Sequence, residues 1–187
     1  MRAPTLRTWG STLDERRRRW PCDDLLPDAD TALFRAIDVE APPALLWAWV
    51  CQLRAAPYSY DLVDNLGRRS PRVRDPANLA LAVGQPVMSI FRVVSFSPGR
   101  QLTIRADRTL FGAVAITYEV VPRDGGSRLR AKVLARGRRR WSHALQPLLP
   151  FGDFVMMRKQ LRTLKALAER EAHARTHAIG PGPVAGA

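Results

Sequence analysis

The sequence predicts an α+β domain in which a curved antiparallel sheet wraps a long C-terminal helix, with two short helices between the first two strands. Three observations predict it. Residues 153–174 are an unbroken run of helix formers with a wide apolar arc. Residues 84–136 alternate apolar and polar side chains in strand-length segments joined by turn signals. Residues 31–40 alternate in the same way ahead of two short helical stretches. Helices kept to one side of an antiparallel sheet define the class.

The long helix is the clearest element. Pro150 and Gly152 break the chain before it, so Asp153 is expected to cap its first free N–H groups. Phe154, Met157, Leu161, Leu164 and Ala168 fall on one stripe, the part a sheet is expected to grip. Met156, Gln160 and Leu167 form a second, less uniformly apolar edge, expected to face a cavity. At 1.5 Å per residue the element runs roughly 33 Å, about the width of a small domain.

Taken in order, residues 1–20 read as a loose, basic arm, 21–174 as the folded domain and 175–187 as a disordered tail rich in Gly, Pro and Ala. Leu33, Ile37 and Val39 share one face of the first strand, with Arg35 among them. Pro42 and Pro43 suit the first turn of a helix reaching Arg54, and Trp47 and Trp49 on it are expected to be core. Residues 58–67 read as a second short helix with Gly67 behind it. Pro86–Phe96 reads as one strand, with Met88, Ile90, Val94 and Phe96 on a face that again carries an arginine, Arg92. Leu102, Ile104 and Ala106 alternate next. Leu110, Val114, Ile116, Tyr118 and Val120 then share a face, and Asp124-Gly125-Gly126 marks a hairpin into Leu129, Ala131, Val133 and Ala135. Such alternation suits a sheet with one wet face.

Composition narrows the function classes. A chain of 187 residues with 46% hydrophobic and 25% charged residues has the makeup of one globular domain. No apolar run approaches a membrane span and no signal region opens the chain, so a cytoplasmic location is expected. Cys22 and Cys51 fit no metal spacing, and nothing calls for a disulfide between them. The net charge of +13 comes almost wholly from arginine. The runs Arg16–Arg19, Arg68–Arg74 and Arg136–Arg140 are separated and lack interleaved aromatics, which counts against nucleic acid; anionic membrane is an equally minor alternative.

Three stretches carry a resemblance. Ala41-Pro42-Pro43-Ala44-Leu45-Leu46-Trp47 resembles the strand-to-helix junction of the SRPBCC superfamily. Tyr58-Ser59-Tyr60-Asp61 with Asn65-Leu66, and Asp153 to Leu161, resemble motifs of one of its bacterial branches. Over residues 21–173 the chain is thus similar to the helix-grip fold of START lipid-transfer domains, the birch-pollen allergen family and polyketide cyclases. The resemblance implies a cavity between sheet and long helix for a hydrophobic or aromatic small molecule, bound for transport or sequestration. It implies no particular reaction, since members include carriers and enzymes.

Candidate site residues follow from both readings. Arg35 and Arg92 each interrupt an apolar strand face, where a charge serves a ligand anion, forms a structural ion pair with Asp61 or Asp64, or reaches out to water from the strand end; the two structural readings are favoured. Tyr58, Tyr60 and Asp61 form the densest polar-aromatic cluster. Tyr60 and Asp61 are weak catalytic candidates for a cyclase- or dehydratase-like enzyme. Tyr118, Met156 and Gln160 complete the expected ligand-binding set. His173 and His177 stand at helical spacing without a third ligand, and His143 has no nucleophile to serve, so neither a metal nor a cofactor is expected.

Overall fold

The computed structural model describes residues 6–59, 69–109, 112–137 and 149–178. A six-stranded antiparallel sheet runs in the order β1-β6-β5-β4-β3-β2. Its strands are β1 (Thr31–Val39), β2 (Pro86–Val87), β3 (Phe91–Ser97), β4 (Gln101–Thr109), β5 (Gly112–Arg123) and β6 (Gly126–Arg136). Among the described residues the α-helices are α1 (Leu13–Arg17), α2 (Pro43–Cys51) and α3 (Leu149–Ala178). The fold class matches the sequence reading: a curved antiparallel sheet with a long C-terminal helix packed on it.

The inward faces of β4, β5 and β6 are those the alternation marked. Leu102, Ile104, Tyr118, Leu129 and Ala131 are fully buried in one cluster with Leu161, Leu164 and Ala168 of α3. α2 is apolar all round because it is enclosed by α3, β5 and β6. Trp47 and Trp49 belong to that core. The 58–67 helix falls, beyond Tyr58 and Ser59, outside the described residues.

Pro86–Phe96 is not one strand. Met88 and Ser89 take positive φ angles of 47° and 63°, folding the segment into a tight β2–β3 hairpin in which Val87 pairs with Phe91. Beyond the turn, Val93 pairs with Ile104 but Ser95 with Thr103, leaving Val94 as an extra residue. That bulge sets Val93 and Phe96 over the same face although they are three residues apart.

α3 also starts earlier than its breakers suggest. Pro150 is the second residue of a 30-residue helix, where its missing N–H has no partner to lose. Asp153 is therefore no cap. It lies inside the helix, buried.

Nor is the outer face of the sheet wet throughout. Trp20, Cys22 and Leu26 bury against Ala113, Ala115 and Leu134 in a second, smaller core. The chain leading there is not the loose arm its composition suggests. Thr12 and Glu15 form a reciprocal capping box on α1, and Glu15 accepts from Arg128 at 2.6 Å. Arg18 and Arg130 both reach Glu119, and Lys132 reaches Asp23. At the free edge of β1, Phe34 N–H donates to Arg7 C=O at 2.7 Å and Ala36 N–H to Trp9 C=O at 3.1 Å. Arginines absent from any apolar pattern are used here as partners, which explains part of the basic excess.

Candidate functional site

A row of buried polar groups runs between the concave face of the sheet and α3. Arg35, on β1, points inward because it shares the parity of Leu33 and Val39, and it is wholly buried. Its guanidinium meets the Asp153 carboxylate at 2.5 Å and donates to the Phe34 C=O at 2.8 Å. The Phe154 ring lies 5.9 Å away. Nε of Arg35 has no acceptor among the described residues. Burial lifts the Asp153 carboxyl to about 6, although Arg35 pulls the other way.

Asp153 and Tyr118 are close enough that the carboxylate's charge opposes ionisation of the phenol. With burial as the larger cause, this holds Tyr118 protonated well above the usual tyrosine range. The Tyr118 hydroxyl donates to Gln160 Oε1 at 2.8 Å, and Gln160 Nε2 donates to the Pro57 C=O at 2.6 Å. Met157 Sδ, 3.8 Å from the Tyr118 hydroxyl, and Met88 Sδ, 3.5 Å from Gln160 Nε2, flank these bonds. Gln160 is thus engaged at both ends of its amide. Next to Pro57, Tyr58 is buried with a φ of 55° and sets its ring edge-on to Trp49 at 6.2 Å.

The candidate residues therefore divide. Arg35, Tyr118 and Gln160 lie in the buried row, and Tyr58 lies beside it. Arg92 is exposed and donates to the Gly84 C=O at 3.0 Å; the bulge at Val94 breaks the parity it would have shared with Phe96 on one continuous strand. Met156 is 38% exposed, just past the buried edge formed by Gln160 and Leu167. Tyr60, Asp61, Asp64 and His143 lie outside the described residues. Arg35's carboxylate partner is Asp153, which sequence reasoning had assigned to capping. The missed members are Asp153, Met157, Met88 and Pro57; an acid on the same wheel sector as Gln160 was the available signal for Asp153.

Elsewhere, a cleft of about 350 Å³ opens between Glu40–Pro43, the β5–β6 turn and the C-terminal half of α3 near His173. Both cysteines are free and buried, with their thiols pushed up to about 11 for Cys22 and about 12 for Cys51. Among the described residues no group of three or more His, Cys, Asp or Glu side chains could hold a metal ion.

The chain matches no protein-family model and no curated protein. It is similar in structure to StfQ, a di-domain ARO/CYC from the steffimycin biosynthetic pathway. The TM-score is 0.51 at 13% identity, over 81% of this chain and 55% of that one. A protein from Rhodobacter sphaeroides is as similar, with TM-score 0.51 at 18% identity, over 73% of this chain and 91% of its own. The chain has the helix-grip fold. In a helix-grip domain the sheet closes around the last helix, and the polar row from Arg35 to Gln160 lies in that grip. The chain spans about half of StfQ, and identities this low speak to fold alone.

Proposed function

We propose that this helix-grip domain binds a hydrophobic or aromatic small molecule between its sheet and α3. Tyr58, Tyr118, Gln160 and Arg35 are its polar contacts in this reading. The observation that carries the proposal is the buried polar row itself. An Arg–Asp pair enclosed in protein is no more stabilising than apolar side chains of the same size. A core shaped for stability alone has no need of Arg35, Asp153, Tyr118 and Gln160 in sequence. A few convergent polar groups within apolar walls suit a small-molecule site, and the spare Nε–H of Arg35 is a donor for a ligand oxygen. Likeness to an ARO/CYC of a biosynthetic pathway accords with a small organic ligand. The reading is one of binding, with no reaction attached.

Native mass spectrometry of the protein purified from its own host tests this, together with thermal shifts against a panel of hydrophobic and aromatic compounds. A co-purifying small molecule is expected. A panel member at a hundred times its Kd should add about 2.7 kcal/mol of stability. Absence of both a bound molecule and any shift across the panel overturns the reading.

A further inference from the structure

The outward face of α3 carries an inference independent of any ligand in the interior. α3 turns Asp153, Met157, Gln160 and Leu161 inward. Its opposite face opens with Phe151, 62% exposed, and half-buried Val155 one turn further on. Phe151, Val155, Arg158 and Arg162 follow one another at spacings of four and three, so they form one row along the helix. Trp9 joins that row: its ring centroid is 5.8 Å from Cζ of Arg158 and 5.9 Å from Cζ of Arg162.

The charge on this face has one sign. From residue 149 to residue 168 the chain carries Arg158, Lys159, Arg162 and Lys165 against a single acid, Asp153, which is buried against Arg35. Lys165 is paired with Glu169, whereas among the described residues Lys159 and Arg162 make no ion pair. Protein–protein interface cores are depleted in lysine. Exposed apolar side chains bordered by free cations and a tryptophan suit a boundary where hydrocarbon meets anionic headgroups.

We propose that this face docks on an anionic lipid surface. Phe151 and Val155 enter the acyl boundary, Trp9 rests at headgroup level, and Lys159 and Arg162 meet lipid phosphates. The contact is peripheral, as no described helix is long and apolar enough to cross a membrane.

Co-sedimentation of the full chain with vesicles tests it, using phosphatidylcholine mixed with phosphatidylglycerol against phosphatidylcholine alone, at low and high sodium chloride. Binding to the mixed vesicles only, weakened by salt, is expected. Phe151→Asp and Lys159→Glu should each lower the partition coefficient roughly tenfold. Both positions are exposed, so the variants should keep the parent melting temperature. Binding to neither vesicle, equal binding to both, or undiminished binding by Phe151→Asp overturns the proposal. So does dimerisation of the parent chain that Phe151→Asp abolishes, which would assign the patch to a second copy.

Discussion

Arg35 of β1 and Asp153 of α3 meet at 2.5 Å with side chains 0% and 6% exposed. They join the edge strand of the sheet to the first turns of the long helix, in a place where neither charge can be solvated. Removing one partner alone strands the other. Arg35→Leu and Asp153→Leu should each destabilise the domain by about 3–5 kcal/mol, and the double substitution by much less than their sum. Urea unfolding of the four chains measures the coupling; additive losses would show that the two groups act separately.

The Asp153 carboxyl also sets a pH dependence. With its folded value lifted to about 6 against an ordinary 3.8, the native chain keeps a proton that the unfolded chain has released. Its contribution to stability is thus complete below 3.8 and disappears as pH rises through about 6. The stability of the parent relative to Asp153→Asn should fall across that window. A difference that stays flat, or rises, would refute the assignment.

Glu171 behaves in the opposite sense. Hydrogen bonds from Arg74, at 2.8 Å and 2.5 Å, hold its carboxyl down to about 2, and Trp49 Nε1 donates to it at 3.1 Å. Its contribution is present above the ordinary 4.5 and is lost as pH falls through about 2. Glu171→Gln should lower stability by about 1–3 kcal/mol at neutral pH, the exposed part of the cluster softening the effect. Acid titration of both chains by circular dichroism should bring their stabilities together near the acid end.

Gln160→Leu separates packing from binding less cleanly than the helix pattern alone suggests. The substitution leaves the Tyr118 hydroxyl and the Pro57 carbonyl without their partner, at a cost of about 1–3 kcal/mol. Adding Tyr118→Phe should recover part of it. Under the proposed function, both variants also lose affinity for any compound that shifts the parent's melting temperature, by more than their stability loss explains. Equal shifts in parent and variants would place these residues in the core only.

Gly10 fixes the N-terminal segment to the sheet. It has a φ of +72°, and a Cβ there would stand 1.9 Å from the Ala36 carbonyl oxygen. Gly10→Ala should therefore detach residues 7–9 at a cost of about 1–3 kcal/mol. Hydrogen exchange reads this directly, through faster exchange at the Phe34 and Ala36 amides.

Period-two alternation made β4, β5 and β6 legible, and the i, i+3, i+4 apolar spacing did the same for α3. The β2–β3 turn was hidden because Met88 and Ser89 adopt positive φ without the glycine that normally advertises it. Pro150 and Gly152 looked like a boundary, and that reading moved Asp153 out of the helix and away from Arg35. In the candidate site, Arg35, Tyr118 and Gln160 stood out as polar residues on apolar faces. Which polar group meets which depends on how β1 lies over α3, and no local pattern encodes that contact. The ordered N-terminal segment was obscured for a similar reason: its Arg18 is balanced by Glu119 and its Glu15 by Arg128, partners distant in sequence.

The pairing of β1 with β6 has a consequence for how the chain is made. Thr31 lies opposite Ala135, and Val39 opposite Ser127, so among the described strands the first pairs with the last. β5 and β6 are joined by the two-residue Asp124-Gly125 turn and can pair as soon as both have been synthesised. β1 and the apolar α2 emerge long before that hairpin and have nothing to close on until it arrives. The interval in which Trp47, Trp49 and Leu53 are exposed therefore lasts until β5, β6 and then α3 have been synthesised, and the N-terminal third is the part of the nascent chain most dependent on protection from aggregation.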